Sequence, residues 1–392
     1  MTMTSRQRML TALDRGIPDR LPVTTHHLMT SFLDRYMGGA SNREFFDRFE
    51  MDAICWTLPH RPDTARDEYY DPLQGAPGFL ESRRICNSSW HIESETLPDP
   101  DYQTVRYRAV TPGGVLEAVV QSNEHTSWVV EPFVKRKEDI DIIGKYVTAP
   151  KCDVEAVNRD AKAFGERGIV RGNLCGFDIY GQAGCWQDAC CLVGTEQMIL
   201  ATYDDPAWVQ ELLGILSRRK QVFIESLKGA AYDIIEHGGG AASSTVISPR
   251  LFDKFVAPYD APLIEQLHQV GMRVVYHTCG GMMPLLERLA DMKPDAMETF
   301  TPAGMGGDVD LAQAKRRIGD RVCMIGGFDQ FHYLIDCTPA ETRAAVRRCF
   351  EAAGQNGGYI LCPSDHFFDA SAELIEAFAD EGRRCQYGVP AM

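Results

Sequence analysis

What most restricts this chain is a rhythm that sets in near residue 137. Short β-branched or apolar runs alternate with stretches of helical length. The runs are Ile169-Val-Arg-Gly-Asn173, Ala231-Tyr-Asp-Ile-Ile-Glu236, Arg273-Val-Val-Tyr276, Ala296-Met-Glu298, Val322-Cys-Met-Ile-Gly326 and Tyr359-Ile-Leu-Cys362. Helices are expected near 137–146, 153–167, 194–203, 206–228, 248–270, 282–290, 310–317, after Thr338, and over 371–387. Ser248-Pro-Arg reads as a helix start, with Ser as N-cap and Pro at the first helical position. Thr338-Pro-Ala-Glu341 carries a capping box. Before the rhythm come a helix over 5–15, a first strand reaching Thr25, a Ser-capped helix over 41–49 and a strand Asp52-Ala-Ile-Cys-Trp56. Strand then helix, repeated about eight times, implies a parallel sheet with right-handed crossovers. Eight units favour an α/β fold of the (β/α)8 TIM-barrel type over an open doubly wound sheet, and no G-x-G-x-x-G follows an early strand.

One segment breaks the pattern. From about 84 to 134, alternating or β-branched runs such as Gln103-Thr-Val-Arg-Tyr107 and Leu116-Glu-Ala-Val-Val120 are separated by turns including Thr111-Pro-Gly-Gly114. We read a β-meander inserted into one barrel domain of residues 1–392, as a lid over one end.

A net charge of −15 argues against a nucleic-acid partner, whose phosphates need a basic face. No run of about eighteen apolar residues predicts a membrane span, and the N-terminus lacks the apolar core of a secretory signal. Thirteen cysteines, an odd number without regular spacing, read as reduced thiols in a cytoplasmic protein rather than as a disulfide framework. Cys190 and Cys191 cannot both face one site from a helix, since neighbours there point about 100° apart.

A barrel of this type carries its site at the carboxyl ends of the strands. His277 and Cys279 stand there two apart, so an extended backbone points both to one side. Imidazole plus thiolate suits Zn²⁺, and a packed histidine beside a buried cysteine suits the same pattern. The other residues at strand ends are Asn173, Glu236 with His237, Glu298, Gly326 with Gly327, and Cys362 with Asp365 and His366. Glu236 and Glu298 read as metal ligands, as acid/base groups, or as partners in ion pairs that brace loops. His26 and His27, just past the first strand, read as surface histidines.

Five stretches carry a family resemblance. They are Pro18-Asp-Arg-Leu-Pro-Val23, Ser243-Ser-Thr-Val-Ile-Ser-Pro-Arg-Leu-Phe-Asp-Lys-Phe255, His277-Thr-Cys-Gly-Gly281, Ile325-Gly-Gly-Phe-Asp329 and Gly357-Gly-Tyr-Ile-Leu-Cys-Pro-Ser364. Together they resemble the uroporphyrinogen decarboxylase superfamily, nearly end to end and in order. The resemblance implies a barrel with a deep funnel at the strand ends. The decarboxylases of that superfamily use no metal and carry an arginine-rich segment after the first strand to grip substrate carboxylates. Here the matching stretch, Thr24-Thr-His-His-Leu-Met-Thr-Ser31, holds no arginine.

The chain is more similar to the cobamide-dependent methyltransferase branch, such as the methylcobamide:coenzyme M methyltransferases. These move a methyl group between a corrinoid and a thiol or tetrahydrofolate, and their zinc-using members carry a His-x-Cys pair and a distant Cys. His277 and Cys279 match the pair, and Cys362 is the candidate third metal ligand. The late motif departs from the family: it reads Cys362-Pro-Ser-Asp365, with Cys three positions early and Asp365 in the usual Cys place. Cys362 serves, or Asp365 does, or the zinc set is lost as in some relatives that use tetrahydrofolate. By the same resemblance Glu236, Glu298 and Asp365 are candidate catalytic groups. Asn173, His237, Gly326, Gly327 and His366 are candidates for the cofactor pocket. Methylcobamide would arrive on a partner corrinoid protein, because the chain lacks an Asp-x-His-x-x-Gly corrinoid motif. The acceptor would be a small thiol such as coenzyme M or homocysteine, or tetrahydrofolate. Assembly as a homodimer stays open. The competing readings are a metal-free tetrahydrofolate methyltransferase, a decarboxylase, and a non-catalytic subunit of a methyltransfer complex.

Overall fold

Seven parallel strands follow one another around a sheet in chain order: Ala53–Trp56, Gly168–Asn173, Ile234–Gly238, Val274–His277, Ala296–Thr299, Cys323–Gly326 and Tyr359–Ile360. The computed structural model describes residues 2–61, 68–70 and 84–388. Residues 21–25 span the gap between the last strand and the first. Leu361 N donates to Pro22 O at 2.9 Å, Thr24 N donates to Leu361 O at 2.9 Å, and Asp52 N donates to Val23 O at 2.7 Å. This eighth stave closes an α/β barrel, as the strand count predicts. The expected first strand is present only as a short bridge, Val23 to Leu361. Pro22 has no N–H to continue the ladder.

Side-chain parity then sorts the barrel. Ile54, Ile169, Ile234, Val275, Ala296, Cys323 and Ile360 form one buried apolar cluster, and these are the inward residues of successive strands. Two positions further along, the same parity brings Trp56, Arg171, Glu236, His277 and Glu298 inward. The opposite parity sends Ile235, Val274, Tyr276, Met297 and Tyr359 into the larger cluster shared with the outer helices. The apolar layer therefore lies below and the polar layer above, toward the carboxyl ends.

The helix Ser5–Leu13 plugs the other end: its Met9, Ala12 and Leu13 join the inner cluster. Arg6 pairs with Asp233 at 2.5 Å and Asp14 with Arg273 at 3.0 Å, both just before strands begin. The insertion is a four-stranded antiparallel meander, His91–Leu97, Gln103–Thr111, Gly114–Ser122 and Ser127–Glu131. It lies beside the carboxyl ends, where Tyr180 Oη donates to Ser127 O at 2.9 Å and the His125 ring meets Phe368 at 5.0 Å.

Elsewhere the structure departs from expectation for identifiable reasons. The helix expected over 248–270 is two, Pro249–Phe255 and Ala257–Gln269, with Val256 between them and Pro258 in the first turn of the second. A helix Cys185–Val193 was not legible, because eight of its nine residues are buried and no polar face marks a helical period. The N-cap at Ser248 is as the sequence implies, with Oγ accepting from Leu251 N at 3.4 Å. Ser248→Ala is expected to cost about 1 kcal/mol, read as a lowered midpoint in urea unfolding.

Candidate active site at the strand ends

Arg171 organises the site. It is a charged residue in the middle of a buried strand, 2% exposed, and so requires partners on the same face. Its Nη1 donates to Glu298 Oε2 at 2.8 Å and its Nη2 to Glu236 Oε2 at 2.6 Å. A further short contact joins Nη2 to Glu298 Oε1. The guanidinium also lies over the Trp56 ring, 4.4 Å from its centroid. Burial opposes every charge in this group, but the two carboxylates outweigh it and hold Arg171 above its usual range. Burial likewise would raise Glu298, and the Arg171 charge reverses this, keeping that carboxylate well below its usual range.

Glu298 turns to a second partner. His277 Nδ1 lies 2.9 Å from Glu298 Oε1, while His277 Nε2 faces Cys279 Sγ at 2.8 Å. Cys279 Sγ in turn lies 3.2 Å from Asp365 Oδ2. Burial disfavours a charged His277 ring, yet the Cys279 sulfur and the Glu298 and Glu236 carboxylates raise it well above the usual imidazole range. The Cys279 thiol is pushed up to about 11 by burial against the pull of His277. Burial works against the Asp365 carboxylate, but His366, His26 and His277 hold it below its usual range.

The turn that follows is possible because of Gly280. Its φ is +90°, and a Cβ there would meet Thr245 Oγ1 at 2.9 Å. The chain can thus leave directly after Cys279.

The side chains of His277, Cys279 and Asp365 offer ligand atoms within 4.8 Å of one another. The donor set, one imidazole, one thiol and one carboxylate, fits Zn²⁺. So does the contact behind His277: a metal-binding imidazole usually gives its second nitrogen to a carboxylate, as His277 does to Glu298. Cys362 does not join this group. It shares the inward parity of Ile360 but is 2% exposed and packed among the apolar inner residues, and its sulfur is not among the converging ligand atoms. Asp365, which the late motif places three residues on, takes the third position instead.

The remaining expected residues divide. Asn173 shares inward parity with Arg171 at the end of its strand and has a buried Oδ1 without a hydrogen-bond partner. His366 reaches the site, with Nδ1 2.9 Å from Asp365 Oδ1. His237 does not: its ring sits behind the strand, Nδ1 3.1 Å from Ala183 O and Nε2 3.3 Å from Asp260 Oδ1. Neighbours on a strand point to opposite faces, so Glu236 inward puts His237 outward. Gly326 and Gly327 answer to the backbone. A Cβ on Gly326 would meet Thr299 O at 2.4 Å, and one on Gly327 would meet the Leu311 side chain at 2.8 Å.

Three residues of the site were not anticipated. His26, expected on the surface, is 4% exposed, and its Nε2 stands 3.5 Å from Glu298 Oε1. His27 is half-buried against Trp56, with ring centroids 4.5 Å apart. Burial, with His26, His366 and Arg171 nearby, keeps His27 well below the usual imidazole range. The short stave at 21–25 carries both histidines over the barrel mouth. Arg171 was legible in principle, as the one charge in Ile169-Val-Arg-Gly-Asn173.

Known proteins share this architecture and parts of the sequence. A methyltransferase from Methanosarcina mazei has the same fold, with a TM-score of 0.59 over 97% of this chain and 99% of that one at 15% identity. Uroporphyrinogen decarboxylase from Thioalkalivibrio sulfidiphilus is 27% identical over 167 residues, 41% of this chain and 43% of the relative. That from Hydrogenovibrio crunogenus is 26% identical over 166 residues, with the same coverage. The chain thus matches less than half the length of these curated relatives. No helix among the described residues is long and apolar enough to cross a membrane. The family model described as Uroporphyrinogen decarboxylase (URO-D) matches residues 171–384, which begin at Arg171 and take in Glu236, His277, Cys279, Glu298 and Asp365. With more than half of its length matched, and on a closed α/β barrel, the chain belongs to the uroporphyrinogen decarboxylase (URO-D) family.

Proposed function

We propose that this member of the family is a corrinoid-dependent methyltransferase, moving a methyl group from methylcobamide on a partner corrinoid protein to a zinc-activated thiol. The observation that supports the reading is the convergence of His277 Nε2, Cys279 Sγ and Asp365 Oδ2, with Glu298 on the far nitrogen of His277. A zinc ion bound there supplies the Lewis acidity that keeps an incoming thiol deprotonated at neutral pH. Glu298 fixes the orientation of the His277 ring, and Arg171 fixes Glu298. His366 holds Asp365 through its second oxygen. A carboxylate where zinc-using relatives carry a thiol donates less charge, and so leaves the ion more electrophilic.

Decarboxylation of a polycarboxylate fits less well. The stretch after the first stave offers His26 and His27 rather than arginine. Arg171, the guanidinium in the barrel mouth, is already committed to Glu236 and Glu298. A substrate carboxylate would compete with two buried ones.

Cobalt substitution tests the ligand set. The Co²⁺-loaded protein is expected to show thiolate-to-cobalt charge-transfer absorption that is lost in Cys279→Ser and grows stronger in Asp365→Cys. A wild-type protein that binds Co²⁺ without this absorption contradicts the assignment.

A further inference from the structure

We infer that the barrel mouth holds a second divalent transition-metal ion, on the other side of Asp365, bound by His26, His27 and His366. The three rings offer ligand nitrogens within 4.8 Å of one another. None of these three donors belongs to the His277, Cys279 and Asp365 group. Ring centroids lie 4.5 Å apart for His26 and His27, 5.9 Å for His27 and His366, and 6.3 Å for His26 and His366. The rings cluster at angles of 90°, 38° and 52° to one another rather than stacking.

Topology explains the convergence. His26 and His27 follow the 21–25 stave, His366 follows the Tyr359–Ile360 strand, and these two staves are neighbours in the closed barrel. The positions are then pinned. Ser364 N donates to Gln330 Oε1 at 3.0 Å, two residues before His366, and His27 lies against Trp56.

A second observation points to a ligand. His26 is 4% exposed, and neither of its ring nitrogens has a hydrogen-bond partner. Its nearest polar neighbour is Glu298 Oε1, 3.5 Å from Nε2, which leaves Nδ1 unanswered. A buried imidazole carries both a donor and an acceptor, and burying either unsatisfied is unfavourable. A cation bound to one nitrogen removes that penalty.

Asp365 links the two positions. Its Oδ2 faces Cys279, and its Oδ1 lies 2.9 Å from His366 Nδ1. One carboxylate thus stands between the two positions, one oxygen toward Cys279 and the other at ion-pair distance from His366. Three neutral imidazoles select Zn²⁺, Co²⁺, Ni²⁺ or Cu²⁺ over Mg²⁺ or Ca²⁺, which prefer oxygen. Three protein ligands also leave a coordination position for solvent or substrate. The inference does not depend on methyl transfer.

Metal-free full-length protein should be titrated with Co²⁺, following bound metal by equilibrium dialysis and elemental analysis and the thiolate band by absorbance. The wild type is expected to bind about two equivalents. His27→Gln and His366→Gln should each lose one equivalent; His27→Gln, remote from Asp365, should keep the thiolate band at full strength, whereas Cys279→Ser should fall to about one and lose it. Far-UV circular dichroism identical to wild type shows that each variant is folded, and the retained equivalent is an internal control. About one equivalent in the wild type, unchanged in both histidine variants, overturns the second site. So do two equivalents that neither histidine variant reduces. Binding that the histidine variants abolish, with no thiolate band in any protein, supports the imidazole site and contradicts the proposed thiolate site.

Discussion

Arg171→Met is expected to destabilise the barrel by about 3–5 kcal/mol at neutral pH, the cost of leaving a buried charge without its partner. The substitution keeps the volume and removes the cation that both Glu236 and Glu298 face. Its pH dependence identifies the cause. In the wild type Glu298 is held below its ordinary value of 4.5. Its interaction therefore contributes stability that is present above that pH and lost as pH falls through the folded value. Without Arg171, only His26 and His277 oppose the burial that raises Glu298, so its folded value rises and the stability that its ionisation adds at neutral pH shrinks. The deficit relative to wild type should therefore be largest near pH 7 and shrink toward pH 4, measured by urea unfolding of both proteins across that range. A deficit that is small, or equal at both ends, would mean that the carboxylates are not held by Arg171.

Cys279→Ser should leave the fold intact and lower methyl transfer by about 10³-fold, the scale of several kcal/mol of lost metal-ion stabilisation. Cys279 lies at a turn rather than in the barrel core, and serine is close in size. The hydroxyl stays protonated where a thiol can be a metal ligand. Zinc retained in this site should therefore drop with the rate. Wild-type rates in Cys279→Ser, with circular dichroism unchanged, would remove the thiol from the mechanism.

The barrel was legible because its period is global: a parallel strand buried on both faces reads as an apolar run, and helix starts such as Ser248-Pro249 are chemical signals. Parity also made part of the site legible. His277 with Cys279, and Glu236 with Glu298, follow from strand ends alone. Features that depend on the third dimension are not legible in the sequence. His237 was placed with Glu236, although the alternation that turns one inward turns the other out. The residue type of Cys362 suits a metal ligand, but its side chain packs among the apolar inner residues. His26 and His27 read as surface residues because the stave they follow is paired through only a few backbone groups and gives a weak strand signal. Lys220 shows the same limit in a helix. It is fully buried, with Nζ bound to Asp188 Oδ2 at 2.6 Å and to Cys175 O at 2.7 Å, and nothing in Ser217-Arg-Arg-Lys220 marks Arg219 and Lys220 as buried and Arg218 as exposed.

The most direct measurement is demethylation of methylcobamide by the purified protein, with coenzyme M, homocysteine and tetrahydrofolate offered separately as acceptors. Appearance of the demethylated cobamide should depend on a thiol, yield the S-methyl product, be suppressed by a zinc chelator, and fail in Cys279→Ser. Transfer to tetrahydrofolate alone, insensitive to chelator and to Cys279→Ser, would contradict the zinc-thiol account. So would decarboxylation of a porphyrinogen with no methyl transfer to any acceptor.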